Sequence, residues 1–484
     1  MSVTEAGSED GLLPRDPSSF AFDPVSFASN RGAILTSIST ATSSTFIGRT
    51  EELGRLSELL DRAEHGLRAV ALVAGDAGVG KTRLLTEVVA DAEKRGMRVL
   101  VGGCMETGDL GLPYVPFIDA FRQLGDRPDD VALIETMIAA IPNLGRLLPG
   151  PTEGRPPPAP TRDDFDQVEL FGGVLSLLER LSETAPLLLV IEDLHWADRS
   201  TRDLLAFVVR SLRTGRIGLV ASYRADELHR RHPLRPLLAE LVRLPDVTRI
   251  DLAPFTRHEL AQHLEALVGE RVEPSVVERI LDRSEGNVFF AEELVAAGAV
   301  RADVRLPDAL ADVLRTRIEA LSEKAQEVLK VASTAGRRVS HDLLVAACDC
   351  SEPELETSLH EAIAGQVLVV DPVEATYRFR HALLQEAVYG DLLPSERTRL
   401  HATYAELLAE SGAAAELAHH ALAAHDLPGA LKALVQAATE ATSVSAPAEA
   451  LGHLARALEI WDRVPDAHAV AGIPRATALL RAAA

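Results

Sequence analysis

The octapeptide Gly75-Asp76-Ala77-Gly78-Val79-Gly80-Lys81-Thr82 constrains this chain more than any other stretch. It fits the P-loop pattern at every required position, and it stands between an apolar run at 69–74 and a helical pattern at 84–93. The strand, turn and helix that give this motif meaning are therefore predicted around it. Its glycines let the backbone turn so that successive N–H groups face a phosphate, and the following helix adds its positive N-terminal end. Lys81 then reaches the beta and gamma phosphates, and the Thr82 hydroxyl ligates Mg2+. The expected ligand is a nucleoside triphosphate or diphosphate with Mg2+, held by Gly75, Gly78, Val79, Gly80, Lys81, Thr82 and the neighbouring Arg83.

A second signal is the run Leu187-Leu188-Leu189-Val190-Ile191, which ends in Glu192-Asp193. A P-loop fold needs a carboxylate at such a strand end to hold the metal through water. Adjacent strand residues point to opposite faces, so the two acids divide the work. One serves the metal shell and the other orients the attacking water, and which does which stays open. Arg224 follows a third apolar run at 217–222. Ligands gather at the carboxyl ends of parallel strands, which brings this guanidinium toward the gamma phosphate.

Strand-like runs at 69–74, 98–101, 187–191, 217–222 and 247–252 alternate with helical patterns at 51–64, 84–93 and 201–212. That alternation predicts an α/β fold, a parallel sheet covered by helices on both faces. The stretch 148–160 holds six prolines and reads as an exposed loop. After Pro254 the pattern turns almost wholly helical to about Ala347, followed by a short strand-like pair at 367–370 and 377–379. Ala- and Leu-rich amphipathic segments at 404–409, 416–424, 430–441 and 448–461 read as helical repeats. The domains expected are a disordered arm at 1–45, a P-loop NTPase domain at 46–255, a helical lid at 256–323, a winged-helix-like domain at 324–397 and the start of TPR-like helical repeats at 398–484.

A chain of 484 residues, 47% hydrophobic, is long enough for several cores. Its net charge of −23 repels nucleic-acid backbones, and no basic DNA-binding face is legible. Cys104, Cys348 and Cys350 lack the spacing of a zinc site and read as free thiols. Glu5, Glu9 and Asp10 precede any basic residue, which argues against a signal peptide, and no run approaches the roughly 18 apolar residues of a membrane span. A cytoplasmic protein with no membrane segment is expected.

Five motifs in order resemble the signal-transducing NTPases with numerous domains, in particular the ATPase part of large LuxR-type transcription regulators. They are Phe46-Ile47-Gly48-Arg49 with Glu51, then Glu192-Asp193-Leu194-His195-Trp196-Ala197-Asp198, Ser222-Tyr223-Arg224, Ser284-Glu285-Gly286-Asn287-Val288-Phe289-Phe290, and Phe379-Arg380-His381-Ala382-Leu383-Leu384. The resemblance implies that Phe46, Gly48 and Arg49 run along the adenine and ribose. It implies that Arg224 senses the gamma phosphate, and that His381 touches the beta phosphate of ADP and holds the protein closed at rest. His195 and Trp196 read as packing and capping residues.

Three departures stand out. Val288 replaces the family's usual proline at the adenine pocket, restoring an N–H and freeing φ. Glu192 occupies the position where many relatives place the magnesium aspartate. No basic recognition helix follows Leu400, although full-length members end in a helix-turn-helix. The function implied is a slow ATP-hydrolysing switch, closed with ADP and open with ATP, answering an unknown small-molecule or protein inducer and self-associating when open. A continuously cycling remodelling ATPase and a helical-repeat scaffold are the rival readings.

Overall fold

The computed structural model describes residues 46–105, 112–126, 128–148, 164–212, 215–296, 310–371, 375–409 and 414–483. The arm expected at 1–45 and the prolines of the stretch 148–160 lie outside the described residues.

The first elements are α1 (Thr50–Glu64), β1 (Ala69–Gly75), α2 (Lys81–Lys94) and β2 (Arg98–Gly103). Helices α3 (Val115–Arg122), α4 (Pro128–Ala140) and α5 (Asp164–Thr184) lead to β3 (Leu187–Glu192). Then come α6 (Arg199–Ser211), β4 (Ile217–Arg224), α7 (Leu234–Leu241) and β5 (Val247–Asp251). The five strands form one parallel sheet in the order β2-β3-β4-β1-β5. Alternation sorts its side chains into two cores. Ala69, Ala71, Val73, Leu188, Val190 and Val220 pack on Leu56, Leu60, Leu84, Leu85 and Val88 of α1 and α2. Val70, Leu72, Leu187, Leu189, Leu219 and Ala221 pack on the other face against α5 and α6. Every residue of β1 and β4 is buried, as expected for central strands covered on both sides.

The order matters for the site because β4 lies between β1 and β3. Its last residue, Arg224, stands in register with Gly75, so the candidate sensor emerges between the P-loop and the acidic strand end. A parallel sheet collects these three strand ends at one edge, which is why residues far apart in sequence meet there.

Helices α8 (Arg257–Val268), α9 (Pro274–Ser284) and α10 (Val288–Ala296) form a small cluster around Leu260, Leu264, Val277, Ile280 and Leu294. Thr256 and Glu259 make a reciprocal capping box that starts α8. Next are α11 (Leu310–Glu319), α12 (Glu323–Ala335), β6 (Arg338–Ser340), α13 (His341–Ala347), α14 (Glu352–Ala364), β7 (Leu368–Asp371), β8 (Thr376–Phe379) and α15 (Ala382–Gly390). The strand-like pair is antiparallel, but it belongs to a three-stranded sheet, β6-β8-β7. The expectation of an almost wholly helical chain to Ala347 is thereby corrected. Three residues, Arg338-Val339-Ser340, are too few to show a period, and only Val339 is buried.

Five further helices are α16 (Pro394–Leu408), α17 (Ala414–Ala423), α18 (Leu427–Ser443), α19 (Pro447–Trp461) and α20 (Ala467–Ala471), with α21 (Arg475–Ala483) last. They stack around Ala418, Ala430, Leu431, Leu434, Ala457 and Ile460. Small residues let these helices approach closely, the habit of helical-repeat stacks. Ala441, Ala446 and Ala450 pack instead into the core beside the parallel sheet, which fixes the repeats on that layer. No helix among the described residues is long and apolar enough to cross a membrane.

Candidate functional site

A cavity of about 210 Å³ opens at the carboxyl edge of the parallel sheet. Three parts of the chain wall it: the P-loop layer, the α8–α10 cluster and the three-stranded unit. Of the predicted site residues, Phe46, Arg49, Gly78, Val79, Gly80, Lys81, Thr82, Arg83, Asp193, Arg224, Val288 and His381 line it together. Gly48, Gly75 and Glu192 do not. Gly48 is at φ 70° against Glu259, Gly75 ends β1 beneath the loop, and Glu192 stands behind Thr82.

The loop is held from several sides. Lys81 Nζ donates to the carbonyls of Gly75 and Asp76 at 2.7 and 2.8 Å, folding its stem across the turn. Burial draws its pKa down to about 8, with Asp193 opposing the shift. Arg49 donates to the carbonyls of Val79 at 3.2 Å and Ala253 at 2.6 Å, and its guanidinium lies 5.0 Å from the centre of the Phe255 ring. Asn287 Nδ2 donates to Ala77 O at 2.8 Å, and the Phe289 N–H donates to Gly78 O at 3.1 Å. Gly78 is required for this approach: it sits at φ 78°, and a Cβ there would lie 2.7 Å from Asn287 Oδ1. The motif at 284–290 thus braces the P-loop from the first turn of α10.

The two acids live in different surroundings. Burial, then the Asp193 charge, pushes Glu192 up to about 7, and the Thr82 hydroxyl hydrogen bonds to it. Asp193 is in the left-handed region, φ 55°, and its N–H donates to Ser222 Oγ at 3.2 Å. Burial works to raise its pKa, but the charges of Arg337 and Arg224 hold it below the ordinary carboxylate value. Arg337 Nη1 meets Asp193 Oδ2 at 2.7 Å, across 144 positions of sequence.

Arg224 is buried and bonded to Glu227 and, at 3.4 Å, to Glu386 of α15. Its guanidinium rests 5.1 Å from the Trp196 ring, and that of Arg337 lies 5.8 Å from the same ring. Trp196 is therefore a platform for two pocket cations, a role beyond the packing and capping read from sequence. His195 is buried and, chiefly for that reason, drawn down to about 3, so it is neutral and its Nδ1 accepts the Arg224 N–H at 3.4 Å. His381 sits at the start of α15 with its ring 3.8 Å from that of Phe289. Burial, reinforced by Arg380 and Arg337, drives it far below the usual imidazole range.

Sequence reasoning missed Arg337, Arg378, Glu292 and Glu386, and it quoted Arg380 without a role. Arg337, Arg378 and Arg380 bring three guanidinium groups from the small sheet to the cavity, where Lys81, Arg83 and Arg224 already stand. Asp193 and Glu292 are the acids of the lining. A chain of net charge −23 thus concentrates cations at one internal site, the environment a polyphosphate requires. The signal available was the density of arginine in Arg337-Arg338 and Arg378-Phe379-Arg380-His381. Thr82, Glu192 and Asp193 supply hard oxygen donors of the kind Mg2+ takes, one or two carboxylates beside substrate phosphates. The donor set fits that ion, with Asp193 engaged by Arg337.

Comparison with known proteins bears on the fold that carries this site. Residues 45–221 match the family model described as the AAA ATPase domain. An uncharacterized protein of Rhizobium meliloti (strain 1021) is 26% identical over 468 residues, covering 87% of this chain and 43% of that protein. The chain therefore spans less than half the length of that curated relative. Among solved structures, a signal transduction ATPase with numerous domains, carrying a tetratricopeptide repeat sensor, from Pyrococcus horikoshii superposes with a TM-score of 0.50 at 13% identity. That match covers 92% of this chain and 65% of the other. The chain carries an AAA ATPase domain at its P-loop end, within an α/β NTPase and helical-repeat fold similar to that of a signal-transducing ATPase with numerous domains.

Proposed function

We propose that this protein is a nucleotide-operated switch of the kind found in the ATPase part of LuxR-type regulators, closed with ADP and opened by ATP, with slow hydrolysis resetting it. The observation that carries the reading is the Arg337–Asp193 ion pair, through which the winged-helix-like unit is fastened across the P-loop cavity. An acid wanted for the metal is thereby occupied by an arginine from a separate unit, which is the arrangement of a resting state. Lys81 and Thr82 would hold the phosphates from one wall of the cavity, and His381, neutral and set against Phe289, would meet the beta phosphate from the other.

In the open state Thr82 with Asp193 or Glu192 would hold Mg2+, which would neutralise the phosphates and polarise the terminal phosphoryl group. Arg224 is the residue we assign to report the gamma phosphate, a reading supported by its bond to Glu386 of the closing unit. A gamma phosphate competing for this guanidinium would release Glu386 and loosen α15, the differential contact that a switch requires. The test is the nucleotide content of the purified chain. The parent is expected to retain ADP, and Lys81→Ala to emerge empty. Fast multiple turnover by the parent would support a cycling ATPase instead, and an empty parent would favour a scaffold.

A further inference from the structure

The seam that holds the helical repeats on the parallel-sheet layer contains a pair of carboxyl groups. Asp198 caps α6, accepting the Thr201 N–H at 2.8 Å, and also takes the Thr201 hydroxyl. Glu449 reaches across from α19 to the same helix end, where its Oε1 accepts the Ser200 N–H at 3.0 Å and its Oε2 takes the Ser200 hydroxyl. The two carboxyl groups, from opposite sides of the seam, therefore end on consecutive residues of one helix start. Two ionised carboxylates brought to one helix turn repel each other, and a proton held between them relieves that repulsion. Around them Ala446 and Ala450 are buried in the sheet-side core, and the Tyr114 hydroxyl donates to Ser445 O at 2.8 Å.

We propose that Asp198 and Glu449, sharing one proton, form a pH-dependent latch that docks the helical repeats on the ATPase layer. The latch stands apart from whatever the cavity binds. It is nonetheless tied to that site, because a single turn, Leu194–Trp196, separates Asp193 from the residues that lead into Asp198. Movement of α19 is thus felt at the start of α6 and, through that turn, at the acidic strand end.

The other charged or titratable groups facing the pair are Arg202, Asp203 and Arg199 on α6, His453 on α19, and Cys104 and Tyr114 from the sheet side. Arg202 donates to Ala197 O and favours the ionised form, whereas burial first, and the Glu449 charge next, push Asp198 up to about 7. His453 is kept neutral by burial, so it does not supply the charge change. Released from the seam, Asp198 returns toward its ordinary 3.8. The docked state therefore binds the extra proton. Docking is strongest at low pH, weakens by about tenfold per pH unit as pH rises from roughly 4 to 7, and is level above.

The experiment is hydrogen exchange on the full chain, following protection of the Ser200 and Thr201 amides between pH 5.5 and 7.5 after correction for intrinsic rates. In the parent, protection should fall by up to about tenfold per unit to pH 7 and then level off. Asp198→Asn keeps the capping oxygen and offers Glu449 an amide N–H without a titrating proton, so its protection should be independent of pH. Glu449→Gln should be equally flat. A parent without pH dependence, or variants that titrate as the parent does, would overturn the proposal. Asp198→Asn changes least in shape, so it decides the matter if Glu449→Gln folds poorly.

Discussion

Replacing Arg337 with alanine should free the closing unit from the P-loop layer. At the observed 2.7 Å separation and an effective dielectric of about 20, the gross attraction to Asp193 is about 6 kcal/mol. Most of that is offset by taking two ions partly out of water. The side chains are 26% and 15% exposed, so the pair falls between a surface and a fully buried bridge. A charge-assisted hydrogen bond in such surroundings is worth about 1.5–3 kcal/mol net, and the loss of contact with the Trp196 face adds about 0.5. If the pair exists only in the closed state, this weight of about 2–3.5 kcal/mol shifts the open–closed equilibrium by roughly 30- to 400-fold. The assay is dissociation of a fluorescent ADP, with Arg337→Ala releasing it faster by that factor and Arg337→Lys by less, since lysine keeps the charge but not the fork. Combining Arg337→Ala with Asp193→Asn should add little to either single change. An ADP release rate within twofold of the parent's would refute the argument.

Two further outcomes follow from other parts of the molecule. Val288 begins α10, where proline is well tolerated, and the bracing bonds run through Asn287 and Phe289, so Val288→Pro should slow ADP release several-fold without loss of thermal stability; faster release would show that the wall of the pocket had been distorted. The buried imidazoles of His401 and His420 share a 2.8 Å Nδ1–Nδ1 contact, and burial draws them down to about 4 and about 3. An unfolded chain protonates both near pH 6.5 and the folded one does not, so stability present above that value is lost as pH falls toward 4, by up to ~1.4 kcal/mol per pH unit for each ring. Urea midpoints measured from pH 7 to 5 should fall on that slope, and changing both histidines to glutamine should flatten it. Parallel slopes in parent and variant would contradict the assignment.

What could be read in the sequence was local. The P-loop announces itself because phosphate recognition by backbone N–H groups needs glycines, lysine and threonine at fixed spacing. The β3 acids and Arg224 were legible because a parallel sheet gathers strand ends at one edge. Cavity residues from the closing unit were not, since Arg337 meets Asp193 over 144 positions and its neighbouring strand β6 is three residues long. The same holds for Glu449, which finds Ser200 across 249 positions on an otherwise ordinary amphipathic helix. Strand alternation predicts unequal roles for Glu192 and Asp193, but β3 ends at Glu192 and Asp193 lies in a left-handed turn, so their difference depends on that turn and on Arg337 and Thr82, which only the fold supplies. Trp196 was assigned to packing because nothing in a linear motif reveals two guanidinium groups resting near one ring.

On this reading nucleotide identity sets the distance between the P-loop layer and the closing unit. That dependence is tested most directly by spin labels on cysteines placed at the exposed positions Glu58 of α1 and Thr357 of α14, in a chain with Cys348 and Cys350 changed to serine. One short, narrow distance is expected with ADP and a longer, broader one with Mg2+ and a non-hydrolysable ATP analogue, the latter persisting with ADP in Arg337→Ala. The same distance with both nucleotides would contradict it.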